Sequence, residues 1–284
     1  MPAHSLISHI KSNVSAALDE DLRDGDLTAQ LIPPMQVASA SIIARQEAVL
    51  CGTLWFEECF IKLDPNCKIH WAMPEGSIML PGQQLCEVQG NVRALLSAER
   101  CALNFLQTLS GTATLVRRYV EAVAGTGAKI MDTRKTLPGL RIAQKYAVNI
   151  GGGHNQRIGL FDGVLIKENH IAAAHGIDMV LEQAFRITPA GIPIQIEVEN
   201  LEQLFEALNA GAKLILLDNF SLVDLRLAVV HAAGRAKLEA SGGITLDSVR
   251  MVAETGVDRI SIGALTKDVT AVDLSMRLTP RTAV

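Results

Sequence analysis

From residue 128 onward the chain alternates between two hydrophobic periods. Short apolar runs recur at AKIMD (128–132), GVLIK (163–167), PIQIEVE (193–199), KLILLD (213–218), KLEASGG (237–243) and DRISIG (258–263). Between most of them lie stretches with apolar residues at helical spacing, such as NLEQLFEALNAGA and SLVDLRLAVVHAAG. Buried strands separated by amphipathic helices predict a parallel sheet. Residues 1 to about 115 read differently. An amphipathic helix over about 5–20 leads into the acidic turn EDLRDGDLT, and alternating stretches such as VASASIIA and KIHWAM are broken by PEG, PGQ and QGN turns. This pattern predicts a small, mostly antiparallel sheet. The following segment, ALLSAERCALNFLQTLSGTATLVRRYVEAVAG, predicts two helices broken near Ser110–Gly111.

Polar groups cluster at the C-terminal ends of the predicted parallel strands: Asp132, Lys167, Glu197, Glu199, Asp218, Ser241 and Gly263. In a β/α barrel that end carries the active site. An open doubly wound sheet binds ligands there too, at its switch point. Chemistry at so many successive strand ends favours the barrel. Six clear strands fall short of eight, so the predicted α/β barrel is irregular.

Composition narrows the function classes. A chain of 284 residues, 49% hydrophobic and 20% charged, buries a large core. A net charge of -4 argues against a general nucleic-acid binder. The opening MPAHSLISHIKSNV lacks an apolar core of signal-peptide length, and the apolar runs are too short to span a bilayer, so the expectation is a cytoplasmic protein without a membrane. The five cysteines (Cys51, Cys59, Cys67, Cys86, Cys101) form no CxxC and read as reduced and structural.

The last two strands end in ASGGI and SIGAL. Late barrel loops of this kind bind phosphate through backbone N–H groups, which nominates Ser241, Gly242, Gly243 and Gly263. The triplet Gly151–Gly152–Gly153 in IGGGHNQRIG does not follow a strand and is not GxGxxG, so it reads as a tight turn. Between Asp132 and His170 basic residues outnumber acids. Arg141 and Lys145 read as a solvated helix face. Arg134 and Lys135 follow one strand and Lys167 ends another, which suits an anion with several negative groups. Glu197, Glu199 and Asp218 lie opposite. Such carboxylates hold Mg²⁺ directly or through water, accept from ribose hydroxyls, stabilise a cationic sugar carbon, or pair with the cations. A Schiff-base aldolase using Lys167 and a phosphate-sugar binding barrel without catalysis are the other readings.

The segment MDTRKTLPGLRIAQKYAVNIGGGHNQRIGLFDGVLIKENH resembles the hallmark of the quinolinate phosphoribosyltransferases. The likeness continues through EDLRDGDLT, LLSAERCALNFLQTLSGTAT, IEVENLEQ, LLDNF and EASGGI, nearly the whole chain. It implies phosphoribosyl transfer from phosphoribosyl pyrophosphate to quinolinate with decarboxylation. It implies an N-terminal α+β sandwich-like domain (1–115, joined by 273–284) beside an incomplete, TIM-like α/β barrel (116–272). It further implies that Arg100, supplied by the neighbour in a homodimer, grips the quinolinate carboxylates with Arg134 and Arg157, with His154 and Gln156 nearby. Lys135 and Lys167 would meet carboxylate, pyrophosphate or both. Glu197 and Asp218 would face the ribose hydroxyls and Mg²⁺, and Ser241, Gly242, Gly243 and Gly263 the 5′-phosphate. Lys135, Lys167, Glu197 and Asp218 are the expected catalytic residues. Gln156 stands where many members have His, and it cannot carry a proton at neutral pH.

Overall fold

The computed structural model describes residues 3–280, so the expected return of 273–284 to the first domain lies in part, at 281–284, outside the described residues. Two compact units emerge. The first holds the residues up to Leu115, Leu137–Gly151 and those from Asp268 on; the second holds Val116–Thr136 and Gly152–Lys267.

In the first unit, α1 (Ala3–Leu22) buries Ile10, Val14 and Leu18, four residues apart on one face. Then come β1 (Val37–Ala44), β2 (Ala48–Val49), α2 (Thr53–Leu63), β3 (Lys68–Trp71), β4 (Ile78–Met79), β5 (Gln84–Asn91) and α3 (Val92–Ala122). β1 alternates as its sequence predicts: Ala38, Ala40, Ile42 and Ala44 are buried. Its antiparallel partners are β5 and the chain's last strand. The core takes Trp55, Phe56 and Phe60 from α2, and Phe56 meets Trp71 edge-on with ring centroids 5.3 Å apart.

α3 is one helix of 31 residues, not two broken at Ser110–Gly111. The pair is a packing device rather than a break. Ser110 Oγ accepts from Cys51 N at 2.9 Å and donates to Cys51 O at 3.1 Å. A Cβ at Gly111 would stand 2.1 Å from the carbonyl oxygen of Thr270, so only glycine lets the two backbones approach.

β6 (Lys129–Met131) opens the second unit, and α4 (Arg141–Ile150) returns to the first. Ala143 and Ala147 of α4 join the first unit's core, which separates 137–151 from the span 116–272 read as one domain. Lys145 is 3% exposed, so its reading as solvated helix surface is corrected. The chain continues with β7 (Val164–Ile166), α5 (Glu168–Ala173), α6 (Ile177–Ile187), β8 (Ile194–Val198), α7 (Leu201–Asn209), β9 (Leu214–Asp218), α8 (Leu222–Ala232), β10 (Lys237–Ser241), α9 (Leu246–Ala253), β11 (Arg259–Ser261) and α10 (Ala264–Lys267). β12 (Leu274–Pro280) closes the first unit's sheet, in the order β12-β1-β5-β3.

The second sheet is parallel throughout, in the order β6-β11-β10-β9-β8-β7. The last strand pairs with the first, as in a barrel; the missing pair is β6 with β7. The fold is an incomplete α/β barrel. On the free edge of β6 runs the segment after the three glycines. His154 forms a lone parallel bridge with Met131: its N–H donates to Ile130 O at 2.8 Å and its C=O accepts from Asp132 N at 3.0 Å. Short βα loops end in helix caps. Asn200 Oδ1 accepts from Gln203 N at 2.9 Å and Ser221 Oγ from Asp224 N at 3.1 Å.

Candidate active site

Alternation along the strands sorts the second unit's residues. Ile196, Val198, Ile215, Leu217, Leu238, Ala240 and Ile260 are buried apolar positions. The residues between them carry the chemistry. Glu197 stands in register with Leu216 and Leu216 with Glu239; one layer further, Asp218 stands beside Ser241. These side chains, with Leu165, Lys167 and Ser261, line a cavity of about 450 Å³ at the strand ends. Asp132, Thr133, Arg134 and Lys135 from the end of β6 and Gln156 and Arg157 from the seam complete it.

Two arginines sit close together here. Burial holds the Arg157 guanidinium below its ordinary range, the neighbouring Arg134 cation pushes it further down, and Asp162 acts against both. Arg157 Nη1 donates to Gly163 O at 2.9 Å, which aims the side chain. Asp162 clamps the following turn by accepting from Ile158 N and Gly159 N, each at 2.8 Å. Lys167 Nζ lies 3.0 and 3.1 Å from the two oxygens of Glu197, so Glu197 is the carboxylate that pairs with a cation. Lys135 runs along Gly263, where a Cβ would stand 2.9 Å from Lys135 Cδ. Its backbone is fixed on both sides, by donation to Thr133 Oγ1 at 3.1 Å and by acceptance from Thr266 Oγ1 at 2.6 Å. Clustered cations beside two carboxylates suit a polyanionic substrate whose reacting centre turns positive.

The comparisons decide the family. Residues 26–110 match the model of the quinolinate phosphoribosyl transferase N-terminal domain, and residues 112–277 that of the C-terminal domain. The chain belongs to the quinolinate phosphoribosyltransferase family. It is similar to the nicotinate-nucleotide pyrophosphorylase (carboxylating) of Mycobacterium leprae, 42% identical over 94% of this chain and 96% of that protein. Quinolinate phosphoribosyltransferase (decarboxylating) 1 of Nicotiana glauca is 36% identical over 98% of this chain and 84% of its own length. The solved nicotinate-nucleotide pyrophosphorylase of Francisella tularensis matches with a TM-score of 0.93 at 43% identity, over 96% of this chain and 97% of that one.

Of the residues nominated for this phosphoribosyltransferase, Arg134, Lys135, Gln156, Arg157, Lys167, Glu197, Asp218 and Ser241 line one cavity. Others do not. Gly242 and Gly243 line a neighbouring cavity of 160 Å³, which Ser241 shares. Gly242 has φ +103°, and a Cβ there would stand 2.1 Å from Asn219 Oδ1. Glu199 lies past the end of β8, exposed, and lines a separate groove with Asp224. His154 is exposed and not among the cavity's residues. Burial, then Lys129, then Arg259 pull its imidazole below the usual range, so it stands among cations one layer toward the strand starts. Arg100 belongs to the first unit and lines a cavity of 400 Å³ there with Asn13, Asp21 and Asn104.

Thr133, Glu239 and Ser261 line the cavity although their places in the sequence did not mark them, and Asp132, marked as a polar strand end, turns out to hold the seam. Asp132, fully buried, accepts from Asn155 Nδ2 and Gln156 N, each at 2.7 Å. Glu239 precedes Ser241 by two positions and so shares its face; that spacing was the available signal. All five cysteines are free. Burial raises their thiols, Cys101 and Cys67 to about 11, which leaves them inert beside this chemistry.

Proposed function

We propose that the chain transfers the phosphoribosyl group of 5-phosphoribosyl 1-pyrophosphate to quinolinate and releases the ring's 2-carboxylate as CO2, giving nicotinate mononucleotide and pyrophosphate. The observation that carries this reading is one cavity shared by Arg134, Lys135, Arg157 and Lys167 with Glu197 and Asp218. The arginines hold the ring's carboxylates, and Lys135 and Lys167 meet carboxylate, pyrophosphate or both. The pyridine nitrogen attacks C1 of the ribose as the C1–O bond to pyrophosphate breaks. Positive charge grows on the sugar, and Glu197 and Asp218 answer it while accepting from ribose hydroxyls. The ring nitrogen is then a pyridinium. The bond from C2 to its carboxylate breaks, the electron pair stays at C2, and a proton replaces CO2. Ser241, Gly242, Gly243 and Gly263 present N–H groups and a hydroxyl to the 5′-phosphate.

Glu197 and Asp218 suit Mg²⁺. Among the described residues no group of three or more His, Cys, Asp or Glu could hold a metal. Two carboxylates completed by water and substrate oxygens are a donor set this hard cation accepts. When bound, Mg²⁺ offsets the charge of the pyrophosphate.

In this reading Arg100 reaches the cavity of a second copy, so the working unit is a cytoplasmic homodimer with shared sites. Its exposed place on α3 leaves it available for that role. A Schiff-base role for Lys167 gives way, because Lys167 is spent on an ion pair with Glu197, whereas an imine-forming lysine is desolvated or unpaired. The test mixes protein, Mg²⁺ and phosphoribosyl pyrophosphate with quinolinate or with nicotinate. Nicotinate mononucleotide from quinolinate is the expected result; product from nicotinate alone overturns the dicarboxylate reading.

A further inference from the structure

Glu239 is 1% exposed in the cavity wall, and none of the roles above uses it. Its partners are neutral. Gln195 Nε2 donates to Oε2 at 3.1 Å and Gln156 Nε2 donates to Oε1, with Ser261 nearby in the same wall. Burial pushes its carboxyl above the ordinary range; Gln195, Ser261, Gln156 and the charge of Arg259 pull it partly back. A buried carboxylate satisfied by amides instead of an arginine is a costly arrangement, and its chemistry is directional. An ionised carboxylate only accepts, so each glutamine must turn its NH2 toward Glu239. Gln156 Nε2 also lies 3.5 Å from Gln195 Oε1. The amide hydrogens of Gln156 are thus directed into the wall formed by β8 and β10. Its backbone N–H is held by Asp132 at 2.7 Å. Residue 156 is anchored at both ends, immediately before Arg157.

We propose that Glu239, together with Gln195, is a positioning residue for ring recognition: it fixes the Gln156 side chain and, through it, the strandless segment that aims Arg157 at the ring's carboxylates. The proposal rests on the phosphoribosyl-transfer reading and assigns Gln156 a different part from direct carboxylate binding. Its N–H groups serve the wall, and the arginines and lysines serve the anion. Discrimination of the ring thereby depends on a carboxylate that touches no substrate.

The test measures KM for quinolinate, KM for phosphoribosyl pyrophosphate, kcat, and quinolinate binding by calorimetry, in the wild type, Glu239→Ala, Gln156→Ala and the double variant. Each single variant is expected to raise KM and Kd for quinolinate about 10-fold, with the double variant no worse than either, because coupled neighbours are not additive. KM for phosphoribosyl pyrophosphate is expected to stay within about 2-fold, since that substrate's phosphates bind elsewhere. Glu239→Gln keeps an acceptor oxygen and is expected to recover most of the quinolinate affinity. Fully additive losses, equal rises in both KM values, or lowered thermal stability with unchanged quinolinate binding each overturn the proposal. Should Glu239→Ala fail to fold, the same cycle between Gln195→Ala and Gln156→Ala decides it by the same criteria. A wild-type protein that makes no nicotinate mononucleotide from quinolinate would sink the activity reading itself; wall anchoring would then be judged on the calorimetric cycle alone.

Discussion

The chain builds two sheets on opposite principles. In the first unit, β1 turns Ala40, Ile42 and Ala44 into a core that also holds Phe56, Phe60 and Leu106. Its stability is apolar area removed from water. In the second unit Glu197, Asp218, Glu239, Ser241 and Ser261 share the inward face with Leu165 and Leu216, and Ile196, Val198, Ile215, Leu217, Leu238 and Ala240 lie on the other face of the strands. A barrel interior normally fills with branched aliphatic side chains. This one spends part of its interior on polar groups held by hydrogen bonds, and that is where the site is. One sheet trades in shape, the other in charge and direction, so the same kind of substitution should act differently in each.

The largest effect should come from the charged interior. Lys135→Ala and Arg100→Ala should each lower kcat/KM about 10²–10³-fold, the scale for losing one preorganised charge partner, with thermal stability nearly unchanged. Mixing the two inactive variants should restore partial activity through one intact shared site. Failure of mixing to restore activity would place Arg100 outside the neighbour's cavity. In the apolar sheet the order reverses. Phe56→Ala should destabilise the protein by about 3–5 kcal/mol in denaturant titration while leaving KM for quinolinate within about 2-fold. Gly111→Ala should cost about 1–3 kcal/mol, since the helix must move off the Thr270 carbonyl; a neutral result would mean that contact is loose.

Two carboxylates sharpen the contrast at smaller scale. In the first unit, Asp26 sits below its ordinary range because the Ala29 N–H donates to it at 2.9 Å and the Ser97 hydroxyl at 2.7 Å. Its contribution is present above the unfolded carboxyl value and is lost as pH falls through the lowered native one. Glu239 is raised by burial, so the folded state holds its proton more firmly than the unfolded chain does. Stability then falls as pH rises from the unfolded value through the native one. Asp26→Asn should narrow the stability gap to wild type toward acid pH, and Glu239→Gln should widen stability in the opposite direction. Parallel pH profiles for both variants would refute the distinction. Gln156→His should pair an imidazole with Glu239, raise its pKa, and add a titrating limb to quinolinate binding near neutral pH; an unchanged profile would mean that this position handles no proton.

Much of this was legible along the chain. All six parallel strands fall on the apolar runs, because a strand buried on both faces leaves a dense signal. The charged strand ends Lys167, Glu197 and Asp218 stood out because polar groups are rare in such runs. Glu239 and Ser261 were harder to see, since Glu239 sits within β10 and not at its tip and Ser261 ends β11 as a small uncharged residue; counting back two residues from Ser241 and Gly263 reaches both. The continuity of α3 was hidden because Ser-Gly reads as a break until the backbone passing at Thr270 is known. His154 was drawn toward the site by its neighbours in sequence, yet two residues along an extended segment amount to a different layer of the barrel. Lys145 lay on a helix whose surroundings come from the remote first unit's core, which no local pattern encodes.

The lone bridge between His154 and Met131 has a consequence for how such a barrel changes over time. The six strands are joined to one another by ladders, so a substitution within a strand also touches its neighbour. The segment carrying Gln156 and Arg157 pairs with β6 through that one bridge, and side chains hold it otherwise: Asp132, Glu239, Asp162 and the donation of Arg157 to Gly163 O. Residues that read the ring can therefore be exchanged without re-registering the sheet, and new ring preferences can arise in this fold from a few changes in one short stretch held by side chains and not by a ladder.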